Sequence, residues 1–111
     1  FRNLEKKIIL NLLNKNNCVI SLGGGAFINE VVRKVSQKDN ATIWLNWSLK
    51  TLIDRIKKNN KRPVASNLSN NELKDLLIYR SKIYSKANYK IDCENMHKAE
   101  IVNKIIQSLK L

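Results

Sequence analysis

Glycine is almost absent from this chain: three occur in 111 residues, and they are consecutive, Gly23-Gly24-Gly25. Proline occurs once, at Pro63, and histidine once, at His97. One histidine cannot assemble a zinc site by the usual ligand spacings, and no residue is singled out as a metal ligand; His97 is expected to face solvent near a helix start. Cys18 and Cys93 are too few for a disulfide framework. Each lies in or beside an apolar run, where a free thiol acts as a small hydrophobe. No stretch approaches the ~18 to 20 apolar residues of a membrane span, and no signal-peptide pattern opens the chain. Neither GxxxxGK(S/T) nor GxGxxG occurs.

Acidic residues are scarce. Nine Asp+Glu face 21 Lys+Arg, a formal charge of +12. Such a balance favours anionic partners in general. The lysines, however, are scattered over polar helix faces, with no basic run longer than two, no interleaved aromatics and no nucleic-acid motif. Solvated helix faces explain them better than a nucleic-acid surface. The five arginines carry more information.

What is present is a hydrophobic content of 43%, enough for one modest globular core. Helical spacing over 1–15 places Leu4, Ile8, Ile9, Leu12 and Leu13 on one face. Residues 19–22 read as a buried strand that stops at the glycines. A helix is expected over 29–38 with Val31, Val32 and Val35 inward, then a short strand at 42–45. Ser48 caps a helix to about residue 58, with Leu49, Leu52, Ile53 and Ile56 as its core face. Residues 59–71 hold the single proline and no periodicity, and read as a lid. Ser69 and Glu72 form a capping box opening a helix through about residue 86. A strand at 89–92 and an amphipathic helix over 98–109 complete the order. Strands alternating with helices imply an α/β fold with a parallel sheet covered by helices.

Glycines at a strand end tolerate positive φ and close backbone approach, which lets successive N–H groups converge on a ligand oxygen. The plain alternative is a tight strand-to-helix turn without a ligand. Arg80 falls on the apolar face of its helix, with Leu73, Leu76, Leu77 and Tyr84 in helical register. An inward arginine needs an anion or many acceptors: either a ligand or one of the few acidic side chains. Arg62 in the lid either swings over a phosphate or is an ordinary exposed loop residue. Arg2 and Glu5 are either a simple helix ion pair, or Glu5 holds Arg2 to grip a carboxylate bidentately.

Together, Phe1-Arg2-x-x-Glu5, Ile20-Ser21-Leu22-Gly23-Gly24-Gly25-Ala26, Arg62-Pro63 and Arg80-x-x-x-Tyr84 resemble shikimate kinase in order and spacing, over the whole chain. The resemblance implies a nucleoside-monophosphate-kinase-type P-loop fold and ATP-dependent phosphorylation of the 3-hydroxyl of shikimate, with Mg²⁺, on the route to chorismate and aromatic amino acids. It implies that Arg2 and Arg80 clamp the shikimate carboxylate, Glu5 orients Arg2, and the backbone of Gly23, Gly24 and Gly25 holds the ring hydroxyls. Arg62 would reach the transferring phosphate as a charge stabiliser, and Arg55 would pack on adenine. A cytoplasmic monomer that binds neither nucleic acid nor membrane is expected.

The resemblance also implies a preceding strand, Walker A loop and second strand with an acidic pair, which supply the phosphate cradle and Mg²⁺ ligands. Residues 1–111 are therefore expected to be the C-terminal portion of one kinase domain, with its lid at about 59–71. The family's first strand lies between those matching 19–22 and 42–45. Without it, unpaired edges and a split core are expected, and the 111 residues alone should be inactive and poorly folded. A gluconate-type kinase, a degenerate kinase-like domain and a basic nucleic-acid-binding module are the alternatives.

Overall fold

A computed structural model describes residues 1–58 and 68–111. In chain order the elements are α1 (Arg2–Leu12), a 3₁₀ turn (Ala26–Ile28), α2 (Glu30–Asp39), β1 (Ile43–Asn46), α3 (Leu49–Lys58), α4 (Asn70–Tyr84), β2 (Tyr89–Asp92) and α5 (Lys98–Leu109). Most of the expected lid, including Arg62 and Pro63, lies outside the described residues.

β1 and β2 pair in parallel, from Ile43 opposite Tyr89 to Asn46 opposite Asp92. A parallel pair requires a crossover, and α3 and α4 supply it. Side chains fix the register at both ends. Asn88 Oδ1 accepts from Thr42 N at 3.0 Å and from Thr42 Oγ1 at 2.7 Å, and Asn46 Nδ2 donates to Asp92 Oδ1 at 3.0 Å. The expected α/β class is what forms.

α4 starts where its capping box places it: Glu72 N donates to Ser69 Oγ at 3.1 Å, and Ser69 N donates to Glu72 Oε1 at 3.0 Å. α3 is capped by Ser48, whose Oγ accepts from Thr51 N at 3.2 Å. A second anchor comes from the other strand. Glu94, two residues beyond β2, accepts from Ser48 N at 2.8 Å and from the Thr51 hydroxyl. The Ser48 backbone bond first, then the Thr51 bond, hold its carboxyl below the ordinary 4.5. A depressed carboxyl stabilises the fold above its unfolded pKa, and that contribution disappears as pH falls through the folded pKa. Glu94→Gln in the intact protein is expected to lower the melting temperature at pH 7. Melts taken at falling pH should show the gap closing below about pH 4.5. A gap independent of pH would contradict the anchor.

Two local expectations are corrected. Residues 19–22 join no ladder among the described residues, and Val19 is fully exposed. Apolar β-branched sequence favours a strand only where a neighbouring edge satisfies its backbone groups, and no strand among the described residues pairs with it. In α2, Val31 turns outward while Val32 and Ser36 are buried, the Ser36 hydroxyl donating to Val32 O at 2.6 Å. A short polar side chain that bonds its own helix can face the core, so Ser36 takes the place that apolar spacing assigned to Val31.

Ile9, Ala26 and Val32 form a small core with Leu13 and Leu22 packed against it, while Leu73, Cys93, Ile91, Ile56 and Phe27 are buried elsewhere. Cys93 behaves as the small hydrophobe expected; Cys18 is exposed. The outer side of α1 and residues 20–23 leave an open apolar groove of about 280 Å³, lined by Phe1, Leu4, Ile8, Leu12, Ile20 and Leu22 among others. Phe1, Leu4 and Ile8 are exposed. His97 is exposed at the N-cap of α5.

Candidate anion-binding site

The first turn of α1 carries Arg2 and Glu5 on one side, and Arg2 Nη1 donates to Glu5 Oε1 at 2.8 Å. Glu5 is the better shielded partner, with its side chain 18% exposed against 63% for Arg2. The carboxylate is thus the fixed end of the pair and the guanidinium the end that faces outward.

The glycine triplet closes a turn in which Ala26 N donates to Gly23 O at 3.1 Å. None of the three glycines has positive φ. Their value is the space a missing side chain leaves. A Cβ on Gly24 would lie 2.8 Å from an Arg80 guanidinium nitrogen, and one on Gly25 would lie 2.6 Å from Arg2 Cζ. Real Cβ atoms essentially never approach anything so closely. On Gly23 the nearest atom would be Glu5 Oε2, at 3.3 Å.

α4 supplies the opposite wall. Leu73 is buried, Leu76, Leu77 and Arg80 are half-buried, and Tyr84 follows one turn after Arg80. The Tyr84 hydroxyl donates to Gly24 O. Its ring packs against Phe27, centroids 6.5 Å apart, and Trp44, 6.3 Å apart. Arg80 makes no ion pair among the described residues. The structural-pair alternative for Arg80 therefore finds no acidic partner there, and its guanidinium lies beside Gly24.

Arg33 has a different task. Its Nη1 donates to Phe27 O and Ile28 O, each at 3.1 Å, so α2 grips the 3₁₀ turn that follows the triplet. Asn29 caps α2, its Oδ1 accepting from Val31 N at 3.0 Å and Val32 N at 3.1 Å. The turn, and with it the triplet, is held from behind.

The structure thus brings together Arg2, Glu5, Gly23, Gly24, Gly25 and Arg80 from three stretches of chain. Arg55 makes its contact elsewhere, on α3, with its Cζ 4.9 Å from the centroid of the Trp47 ring. Arg62 lies outside the described residues. Sequence reasoning assigned no task to Tyr84, Arg33 or Trp47. For Tyr84 the helical spacing from Arg80 was a usable signal, whereas Trp47 and Arg33 depend on tertiary neighbours that no local pattern displays.

Two guanidinium groups against glycine backbone, with one carboxylate to orient them, leave an excess of positive charge. Among side chains, arginine is the one whose planar fork matches a carboxylate or phosphate bidentately. The described residues bring together no three carboxylate, histidine or cysteine side chains able to hold a metal ion. No helix among them is long and apolar enough to cross a membrane.

Fold and candidate site together define an α/β protein in which two guanidinium groups lie against a glycine-rich turn. The family model described as shikimate kinase matches residues 1–110, and the chain belongs to the shikimate kinase family. It is similar to the shikimate kinases of Bartonella henselae, 36% identical over 111 residues, and Persephonella marina, 33% identical over 110. Each alignment takes in 99% of this chain, but 53% and 66% respectively of the relative. The crystal structure of shikimate kinase from Bacteroides thetaiotaomicron matches with a TM-score of 0.81 at 25% identity, over 99% of this chain and 68% of that one. The chain spans about half to two thirds of the length of the curated relatives it matches.

Proposed function

We propose that this chain is the acceptor-binding and lid portion of a kinase that transfers the terminal phosphate of ATP to the 3-hydroxyl of shikimate. The observation that carries the proposal is the convergence of Arg2, held by Glu5, and Arg80 on the backbone of Gly24 and Gly25. In this reading the two guanidinium groups clamp the shikimate carboxylate, and the N–H groups of Gly23, Gly24 and Gly25 face the ring hydroxyls. Arg62 stabilises the transferring phosphate and Arg55 packs on the adenine. Phosphoryl transfer needs positioning and concentrated positive charge more than covalent chemistry. A planar guanidinium pair suits one small carboxylate, and lid closure would exclude water.

Magnesium would neutralise the nucleotide phosphates during transfer. Among the described residues no three carboxylate, histidine or cysteine side chains gather as a ligand set for it. We assign most of its ligands and the phosphate cradle to a preceding segment of the same domain. The open apolar groove beside α1 and residues 20–23, and the share of the relatives left unmatched, support that division. By itself residues 1–111 would then lack both the nucleotide cradle and the central strand. The remaining parts of the reading are a monomeric, cytoplasmic enzyme on the route to chorismate, with no nucleic-acid partner.

The test is a transfer assay on the intact protein with MgATP against shikimate, gluconate and other sugar acids, following product mass. Shikimate 3-phosphate is expected as the dominant product. Transfer to gluconate and not shikimate, or binding of random DNA with no transfer to any acid, would overturn the proposal.

A further inference from the structure

α3 holds an arrangement that the anion site does not use. Trp47 precedes the N-cap Ser48, and Arg55 lies two turns along the helix, its Cζ 4.9 Å from the Trp47 ring centroid. Arg55 is exposed and Trp47 is half-buried. An exposed arginine normally samples many rotamers, and ordering it on binding opposes affinity. A guanidinium lying over an indole is attracted to the ring face, and indole is the strongest of the aromatic partners. The base of this stack is itself fixed. Glu94 clamps the backbone N–H of Ser48 at 2.8 Å and also holds the Thr51 hydroxyl, so the residue after Trp47 is tied to the end of β2. The indole thus occupies one side of the Arg55 guanidinium, and the exposed position of Arg55 leaves the group open to a second flat partner.

We propose that Trp47 is a positioning residue for nucleotide binding: its indole holds Arg55 flat, so that a purine base completes a three-layer stack of indole, guanidinium and base. The inference deepens the reading of Arg55 given above and rests on it. Trp47 itself touches no part of the nucleotide.

The experiment measures dissociation constants for ADP and for shikimate in the intact protein, with thermal melts as a check on folding. Loss of a cation–π contact at an exposed site corresponds to about two- to fivefold in affinity. Trp47→Leu is expected to weaken ADP by about that factor and to leave shikimate unchanged. Trp47→Phe, which keeps an aromatic face, is expected to recover most of the loss. Arg55→Ala is expected to weaken ADP at least as much, and the double variant should be no weaker than Arg55→Ala alone, because the indole acts only through the guanidinium. Additive losses in the double variant, or unchanged ADP affinity in Trp47→Leu while Arg55→Ala weakens it, would overturn the role of Trp47 and leave Arg55 standing. Unchanged ADP affinity in Arg55→Ala would overturn both. If Trp47→Leu melts early, Trp47→Phe and Arg55→Ala still decide: a Trp47→Phe loss as large as that of Arg55→Ala contradicts the stack.

Discussion

Arg80→Ala in the intact protein is expected to lower kcat/KM for shikimate by roughly 30- to 1000-fold, on the order of 2–4 kcal/mol for charge-assisted hydrogen bonds to one carboxylate. The melting temperature is expected to stay close to that of the unchanged protein. Arg80 has no ion pair among the described residues, so its removal strands no partner there. Alanine is also the best helix former, and α4 keeps both its Ser69–Glu72 cap and the buried Leu73. Steady-state kinetics with shikimate varied at saturating ATP, paired with a thermal melt, check this. An unchanged apparent affinity for shikimate would remove Arg80 from the site.

The second large effect is expected from a single methyl group. Gly25→Ala places a Cβ 2.6 Å from the present position of Arg2 Cζ. No glycine in the chain needs positive φ, so alanine is compatible with the backbone. What must move is the tip of the Arg2 side chain, and the fold is expected to survive. Displacing one of two carboxylate-binding groups is expected to weaken shikimate binding by at least about tenfold, or about 1.4 kcal/mol. Gly23→Ala is the internal comparison: its Cβ meets only Glu5 Oε2, at 3.3 Å, and a loss of about twofold or less is expected for such a small adjustment. Titrating shikimate against both variants and against Arg2→Ala gives the check. Combining Gly25→Ala with Arg2→Ala should add nothing to Arg2→Ala, because both changes act on the same guanidinium. Equal losses in the two glycine variants would mean that the triplet acts through its backbone shape and not through room for Arg2.

Much of this arrangement was legible before any coordinates. Ser69-x-x-Glu72 marked the start of α4, and the apolar spacing through Leu73, Leu76 and Leu77 put Arg80 on the inner face, where it lies half-buried. Both signals are local: a cap and a helical period are decided within a few residues. The strand expected at residues 19–22 was not decided locally, because a strand exists only through a neighbour. The glycine triplet was located from sequence, but two reasons for it remained open, positive φ and close approach. The absence of positive φ selects the second. Val31 shows the limit of apolar counting: a serine bonded to its own helix took the inward position. Trp47 gave no sequence signal at all, since its partner Arg55 is two turns away and a lone tryptophan before a helix has many uses.

The two cations come from helices far apart in sequence, α1 and α4, yet they meet neighbouring residues of one loop, Arg80 at Gly24 and Arg2 at Gly25. Consecutive Cα atoms are about 3.8 Å apart. A single peptide unit therefore acts as a caliper, and its opening is set by covalent geometry that cannot stretch. Helices α1 and α4 can shift by small amounts without changing what the jaws measure, provided each arginine keeps its own glycine. In the proposed reading, recognition by such a gauge depends on one Cα–Cα spacing and two empty side-chain positions, and it tolerates drift elsewhere in the domain.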